Sequence, residues 1–215
     1  MGKIVLATII ISGSAKWLLK VGGNKEKWYG SDRIFMYVMT VFGAMTVNYS
    51  EQCTEYGWVV SNLRLLAGCL LAGGLLSAAY MDRRNCWVYN YVWWWCLPWA
   101  GILGLTAGGG FHGIVAVLVF VMLQQLLFSR MYGKADCHAF SVCALAECGN
   151  AVGMVGFLLQ MFLSVVLLTI LQLFRGNVTP RGRLREPQPF IPYIITAFFS
   201  VTFLESVFRT TYIYA

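Results

Sequence analysis

Residues 153–174 form a run of 22 residues without one charged side chain. A helix of about 20 apolar residues is long enough to cross the hydrocarbon core of a bilayer. Other long apolar runs follow the same pattern, and hydrophobic residues make up 59% of the sequence. Only 12% of the residues are charged, against about 25% in ordinary soluble domains. Because lipid offers the backbone no hydrogen-bond partner and the runs do not alternate with polar residues, we expect spanning helices and not barrel strands.

These runs predict an all-α, polytopic integral membrane protein with about six to eight transmembrane helices. No internal repeat divides the sequence, and the 215 residues leave little room for a separate soluble domain. The predicted spans are 4–20, 33–49, 58–80, 91–107, 111–129, 137–150, 152–174 and 190–208.

The basic residues predict the orientation of these spans. If the loop after residue 80 is cytoplasmic and the spans alternate, then twelve of the sixteen Lys and Arg residues lie on the cytoplasmic side. That distribution obeys the positive-inside rule, which the opposite orientation would violate. In a membrane protein, the net charge of +7 therefore reports topology and gives no reason to expect nucleic acid as a partner. The twelve residues are Lys20, Lys25, Lys27, Arg33, Arg83, Arg84, Arg130, Lys134, Arg175, Arg181, Arg183 and Arg185.

The N-terminal segment MGKIVLATIIISGSA has the character of a signal peptide, with Gly13 and Ala15 before a possible cleavage point. Cleavage would place residues 16–32 outside and would invert every later loop under simple alternation. We therefore expect an uncleaved segment that either spans the membrane or lies at its interface.

Metal chemistry is not expected from this sequence. The seven cysteines contain no C-x-x-C pair, and most of them lie inside apolar runs, where cysteine behaves as a small hydrophobic residue. The two histidines, His112 and His138, are predicted on opposite sides of the membrane and so cannot share a metal ion.

Aspartate is scarce: only Asp32, Asp82 and Asp136 occur. Asp82 follows the predicted span 58–80 and Asp136 precedes 137–150, which puts both on the same predicted side. Structural roles are available for each, since Asp136 has the position of a helix N-cap and Asp82, beside two arginines, that of a solvated loop charge. The alternative is a pair of carboxylates that act together.

The residues around these aspartates carry a resemblance. In AAYMDRRNCWVYN (78–90), Asp82 closes an apolar run, two arginines follow, and the stretch ends in Val-Tyr-Asn. Asp136 ends the sequence Gly-Lys-Ala-Asp, and PFIPYIITAF (189–198) leads into the last run. In order and spacing these stretches resemble the type IV prepilin peptidases, membrane aspartic proteases whose first Asp precedes a basic stretch and I-P-N and whose second ends a G-x-G-D motif.

The resemblance implies an aspartic endopeptidase with Asp82 and Asp136 as catalytic residues. Gly133, Ala135 and Asn90 would support them as motif or substrate-facing residues. Such an enzyme activates water between two carboxyls that share a proton, so neither a metal nor a cofactor is expected.

The resemblance also implies the surroundings of the reaction. The substrate would be a prepilin or pilin-like precursor with a short basic leader, cleaved at the cytoplasmic face of a bacterial cell membrane. The resemblance covers about residues 58–208 and leaves 1–57 as N-terminal membrane segments of uncertain role.

The sequence departs from the family pattern at several positions. Ala135 replaces the second glycine of G-x-G-D, where its Cβ could restrict the turn. Tyr89 replaces the proline of I-P-N, His138 stands where a lysine is frequent, and the loop with two C-x-x-C pairs found in larger members is missing. Two other functions stay open: a small proton- or cation-coupled transporter that uses the same aspartates, and a non-catalytic assembly partner of a pilus or secretion machine.

Overall fold

The computed structural model of the chain describes residues 2–23, 30–52, 57–108, 110–148, 153–174 and 188–213. Within these ranges the chain forms eight α-helices and a 3-10 turn at Phe128–Arg130, and no strand. The all-α prediction is thus confirmed. The helices are α1 Gly2–Val21, α2 Gly30–Gln52, α3 Trp58–Asn85, α4 Asn90–Thr106, α5 Gly110–Leu126, α6 Lys134–Ala146, α7 Gly153–Phe174 and α8 Ile191–Ile213.

Five of the helices in the described ranges are long and apolar enough to cross a membrane: α1, α3, α5 with the following 3-10 turn, α7 and α8. The sequence predicts about six to eight transmembrane helices, so the number found is smaller. Helices α4 and α6 have 17 and 13 residues, and α2 has the length but not the composition. At a rise of 1.5 Å per residue, α6 is only about 20 Å long, which is short for a 30 Å core.

Helix α3 lies at the centre of the bundle, where it packs against α1, α2, α4 and α8. Two adjacent glycines on α3 let its neighbours approach closely. A Cβ at Gly73 would collide with Ser14 of α1, and one at Gly74 would lie 2.5 Å from the sulfur of Cys96 in α4. Small residues at a helix contact allow this closeness, which is the usual way that helices associate where lipid removes the hydrophobic drive.

The other helices surround α3 and share one hydrophobic core with it. Ile11 of α1, Met36 of α2, Leu75 of α3, Phe140 of α6 and Phe199 of α8 are all buried in that core. The described parts of the predicted segments 1–57 and 58–208 are therefore packed together.

The outer surface of the bundle is also apolar. Trp58, Leu105, Phe111 and Phe174 are each more than three-quarters exposed, and many other large apolar side chains point outward. An apolar surface of this extent is not found on ordinary soluble monomers.

Successive helices alternate in direction, so the bundle has two ends. One end holds the last turn of α3 and the first turns of α2, α6 and α8. We call it the aspartate end, because Asp32, Asp82 and Asp136 all lie there.

Candidate functional site

Asp82 lies in the last turn but one of α3 and is only 7% exposed. Two small residues, Ala78 and Ala79, precede it on the helix and are fully buried. Its Oδ2 accepts a hydrogen bond from the backbone N–H of Ile191, the first residue of α8, at 2.9 Å. The structural alternative for Asp82, a solvated loop charge, does not hold, because α3 continues to Asn85 and the carboxyl is buried against another helix.

The two arginines beside Asp82 turn toward α2. Arg83 Nε lies 2.8 Å from Asp32 Oδ1, and Arg84 Nε lies 3.3 Å from Asp32 Oδ2. Arg83 also stacks on the ring of Phe35 at 5.0 Å. Asp32 therefore balances this basic pair, while Asp82 on the neighbouring position faces α8.

Asp136 occupies the first turn of α6. The N-cap of this helix is Gly133, with an extended backbone (φ −67°, ψ 153°), so Asp136 is the third helical residue. Its Oδ2 accepts the backbone N–H of Gly133 at 3.0 Å. The structural alternative for Asp136, the N-cap position, is taken by Gly133 three residues earlier, although the Asp136 side chain still satisfies an otherwise unpaired donor at the helix start.

Ala135 does not strain this turn. It is the second residue of α6, and the described non-glycine residues include only one with positive φ, Cys86. Alanine is the residue that best favours a helix, so the expected restriction by its Cβ is absent from the helical backbone found here. The tight position is Gly133, where a Cβ would lie 3.1 Å from Asp136 Oδ2.

An aromatic cluster ties the start of α6 to the start of α8. The ring of Tyr132 lies 5.4 Å from that of Phe190 and 6.3 Å from that of Phe140, and Phe140 lies 6.0 Å from Phe190. Since Asp82 binds the residue after Phe190, the cluster brings the two aspartates, 54 positions apart in sequence, to one site.

The electrostatics of Asp136 reflect this closeness. Burial, and after it the negative charge of Asp82, raise the pKa of Asp136 to about 7, although the hydrogen bond from Gly133 lowers it. Among the described residues no Lys or Arg forms an ion pair with either carboxyl. Two neighbouring carboxyls without a cation do not both ionise easily.

The third motif stretch, 88–90, leads into α4. Val88 is buried, and Tyr89 stands just before the helix with φ −73°. Proline requires φ close to −65°, so the backbone at Tyr89 is the one that the family's proline would adopt. Asn90 begins α4 and borders a cavity of about 490 Å³ together with His138.

Two cavities lie near the aspartate end of the bundle, and their linings contain neither Asp82 nor Asp136. The larger one lies between α4, α5 and α6, and its polar lining includes Gln125 and His138. The second, about 370 Å³, lies between α2, α3, α7 and α8 and is bordered by Arg83 and Pro189. The larger cavity is thus lined by His138, two residues after Asp136, and the smaller one by Arg83, the residue after Asp82.

The histidines lie at opposite ends of the bundle, as the sequence predicted. His112 is in the first turn of α5, and His138 is in the second turn of α6, near the aspartate end. Burial, and after it the charge of Lys134, lower the pKa of His138, so its imidazole is neutral at neutral pH. In the described part of the chain no three His, Cys, Asp or Glu side chains come close enough to hold a metal ion.

Sequence reasoning missed two buried polar contacts at the other end. Glu147, at the end of α6, is 4% exposed and accepts a hydrogen bond from the Thr202 hydroxyl of α8 at 2.5 Å. Arg64 of α3 donates to the carbonyl of Leu103 at 3.0 Å and to the hydroxyl of Thr106 at 2.8 Å. The available signal was a charged residue inside a predicted span, which is uncommon and needs a partner.

Comparison of the chain with models of protein families, with curated proteins and with solved structures found no match in any of the three.

Proposed function

We propose that the protein is an integral membrane aspartic endopeptidase that uses Asp82 and Asp136 to activate water. The membrane location is supported by five helices of sufficient length and apolarity and by the apolar outer surface. In a bilayer, lipid chains would cover that surface, whereas in water so large an exposed apolar surface would be unfavourable.

The observation that best supports this activity is that two carboxyls from different helices lie close together. Asp82 comes from the end of α3 and Asp136 from the start of α6, and the charge of one raises the pKa of the other. The remaining polar contacts of both side chains are backbone N–H groups at helix starts. Those donors hold the carboxyls in place without removing the shared proton.

The two aspartates take different roles in this proposal. We assign Asp82 as the ionised partner, and its carboxylate accepts an N–H at the start of α8, where the helix dipole stabilises a negative charge. Asp136, with its raised pKa, is the protonated partner. Asp82 takes a proton from water as the water oxygen attacks the peptide carbonyl carbon, and Asp136 gives its proton to the carbonyl oxygen. In the tetrahedral intermediate, Asp82 gives the proton that it took from water to the amine nitrogen as the C–N bond breaks, and a hydroxyl of the intermediate returns a proton to Asp136.

The substrate class comes from the resemblance to type IV prepilin peptidases. It is a prepilin or pilin-like precursor whose short basic leader precedes an apolar helix, cleaved at the cytoplasmic face of a bacterial cell membrane. The basic residues at the aspartate end, including Arg83, Arg84 and Lys134, support that orientation. Gly133, whose N–H binds Asp136, borders the site and would face the substrate strand, whereas Asn90 lines the cavity between α4, α5 and α6.

Precursor cleavage by the purified protein tests the proposal. We expect Asp82→Asn to accumulate in the membrane and to leave the precursor uncut, because an amide cannot take a proton from water. Asp32→Asn is the matched control, since Asp32 lies at the same end but binds only the arginines in the contacts described above. Normal cleavage by Asp82→Asn, or absence of cleavage by the wild-type protein, would refute the activity.

A second candidate function is proton-coupled transport, which one observation favours. Transporters place ionisable groups inside the membrane, and Glu147 is a buried carboxyl about 20 Å along α6 from its first residue. In that case Glu147→Gln would abolish proton uptake by vesicles that contain the protein. Proton flux that survives Glu147→Gln, together with cleavage that depends on Asp82, would exclude the transporter.

A further inference from the structure

The cavity of about 490 Å³ between α4, α5 and α6 has the size of a small-molecule site, for which about 300–1,000 Å³ is usual. Its lining is divided by polarity. Apolar side chains form most of the wall: Trp93, Trp94, Leu97, Val117, Leu118, Val121, Val142 and Leu145. The polar side chains are those of Asn90, Gln125, His138 and Ser141, and no charged side chain lines the cavity.

The polar groups lie toward one end of the cavity. Asn90 is the first residue of α4, Gln125 is in the last turn of α5, and His138 is in the second turn of α6. These three positions are near the aspartate end of the bundle, where the proposed membrane interface lies. Leu97 and Leu145 stand two to three turns deeper along their helices.

The side chains of Gln125 and His138, at the polar end of the cavity, are available to a ligand. Gln125 Nε2 and His138 Nδ1 are 3.5 Å apart, which is long for a hydrogen bond and leaves both groups able to bind a better partner. The imidazole of His138 is neutral at neutral pH because burial and Lys134 lower its pKa. A ligand there needs hydrogen-bonding atoms but no charge.

The cavity opens sideways through the apolar surface. Trp94 and Leu118, on its border, are 75% and 58% exposed. A ligand can therefore enter from the bilayer, with its tail among apolar side chains and its head near the interface.

We propose that this cavity binds a neutral amphiphilic lipid, with an uncharged hydroxyl- or carbonyl-bearing head group on Asn90, Gln125 and His138 and its chain between α4 and α5. The proposal rests on the membrane location inferred above, and it does not depend on the protease activity. Phospholipids should bind less well than an uncharged lipid. No cationic side chain lines the cavity, so a buried phosphate would have no partner there.

An apolar substrate helix is the other occupant to consider, and the geometry disfavours it. His138 and Asp136 are two positions apart on α6, so they point to opposite sides of that helix. A peptide in the cavity would have to pass around α6, which is about 10 Å across, before it reached the aspartates. A lipid has no such requirement.

Photolabelling of the full chain in phosphatidylcholine nanodiscs tests the proposal. The probe is a monoacylglycerol with a diazirine in its chain, and labelled residues are found by mass spectrometry. We expect labels on cavity residues, reduced about tenfold by Val121→Trp, which obstructs the cavity between its apolar part and Gln125. Val119→Trp is the matched control, because Val119 is on the same helix, 46% exposed and outside the cavity lining.

A second variant tests the head-group contacts. Gln125→Leu combined with His138→Leu should lower labelling by the monoacylglycerol but not by a diazirine alkane that lacks a head group. If Val121→Trp does not accumulate, Leu118→Trp obstructs the same cavity from its exposed border.

Three results would overturn the proposal. The first is labelling spread evenly over the apolar surface, which indicates bulk lipid. The second is equal labelling of wild type and the obstructed variant. The third is stronger labelling of the cavity by a diazirine-bearing pilin-like peptide than by the lipid, which would make the cavity a substrate site. Loss of precursor cleavage in any variant bears only on the proposed protease function.

Discussion

Helix α6 has a buried or partly buried carboxyl at each end, and the two differ in their surroundings. Asp136 lies in the first turn, where its oxygen accepts the N–H of Gly133. Glu147 directly follows the last turn and accepts the hydroxyl of Thr202. The helix dipole stabilises negative charge at the first position and opposes it at the second. The dipole of α6 therefore opposes ionisation of Glu147, whereas the pKa of Asp136 is raised by burial and by the charge of Asp82 in spite of the dipole.

Their neighbours extend the contrast. Asp136 has a second carboxyl, Asp82, close enough to raise its pKa, whereas Glu147 accepts a hydrogen bond from a hydroxyl on α8 and has Glu205 as its neighbouring carboxyl. Burial of a carboxyl is thus not enough to identify a site, because its partner and the direction of the helix decide what it can do.

The largest expected effect separates the two carboxyls directly. We expect Asp136→Asn to reduce precursor cleavage by about a thousandfold or more, because an amide cannot donate a proton at this pKa. Glu147→Gln should retain most of the activity, since glutamine can still accept from Thr202. The measurement is the rate of precursor conversion, normalised to the amount of protein in the membrane.

The double variant sharpens this result. Asp82→Asn combined with Asp136→Asn should cleave no more slowly than either single variant, because members of one catalytic unit are not additive. A further loss in the double variant would mean that the two aspartates act independently.

The next prediction assigns each end to a side of the membrane. Cys86 is exposed beside Asp82, and in a variant that keeps only this cysteine it should react with an impermeant maleimide only after the cells are opened. Phe111, 76% exposed at the other end, should react from outside after Phe111→Cys. Reaction of Cys86 in intact cells would reverse the orientation that the basic residues predict.

A smaller effect follows from the pKa of Asp136, about 7. If protonated Asp136 donates to the substrate, kcat/KM should fall about tenfold per pH unit once the pH exceeds that value. The folded protein also keeps a proton that an unfolded Asp releases near pH 4, so this group stabilises the fold at low pH. That contribution should disappear as the pH rises from about 4 to 7.

The pH dependence of stability is measured as the difference in Tm between the wild type and Asp136→Asn. Thermal unfolding in detergent across this pH range should show a falling Tm for the wild type and a flatter dependence for the variant. A wild-type Tm that rises with pH relative to the variant would contradict the raised pKa.

The smallest expected effect comes from a comparison of Gly133 and Ala135, which precede Asp136 by three residues and by one residue. Ala135→Gly should cost about 1 kcal/mol of helix stability and leave cleavage nearly unchanged, since Ala135 is helical. Gly133→Ala should lower activity more, because the added Cβ would lie 3.1 Å from Asp136 Oδ2 and displace it. Paired measurements of Tm and kcat separate the two, and greater inactivation by Ala135→Gly would show that the motif's second position controls the site.

Much of the helical architecture was determined by local sequence. The predicted span 152–174 corresponds to α7 at Gly153–Phe174, and 190–208 corresponds to the start of α8 at Ile191. Long uncharged runs have no other stable backbone structure in lipid, and prolines such as Pro192 fit the first turn of a helix. The sequence also put both aspartates on one side, because alternation alone requires it.

The local environment of each aspartate could not be predicted from its neighbours in sequence. Asp82 was predicted in a loop, but α3 continues past it because α8 packs against its last turns and offers the N–H of Ile191. That contact joins residues 109 positions apart. The N-cap position, which was the structural alternative for Asp136, belongs to Gly133, so the carboxyl accepts the Gly133 N–H from within the helix.

Only the tertiary structure brought Asp82 and Asp136 together and left Glu147 with Thr202. Alternation places residues at one end of a bundle without specifying which helices are neighbours. The aromatic contacts among Tyr132, Phe140 and Phe190 make that choice, because they pack the starts of α6 and α8 against each other beside the end of α3. Side-chain packing between distant segments depends on shape in three dimensions, which the spacing of residues along one chain does not contain.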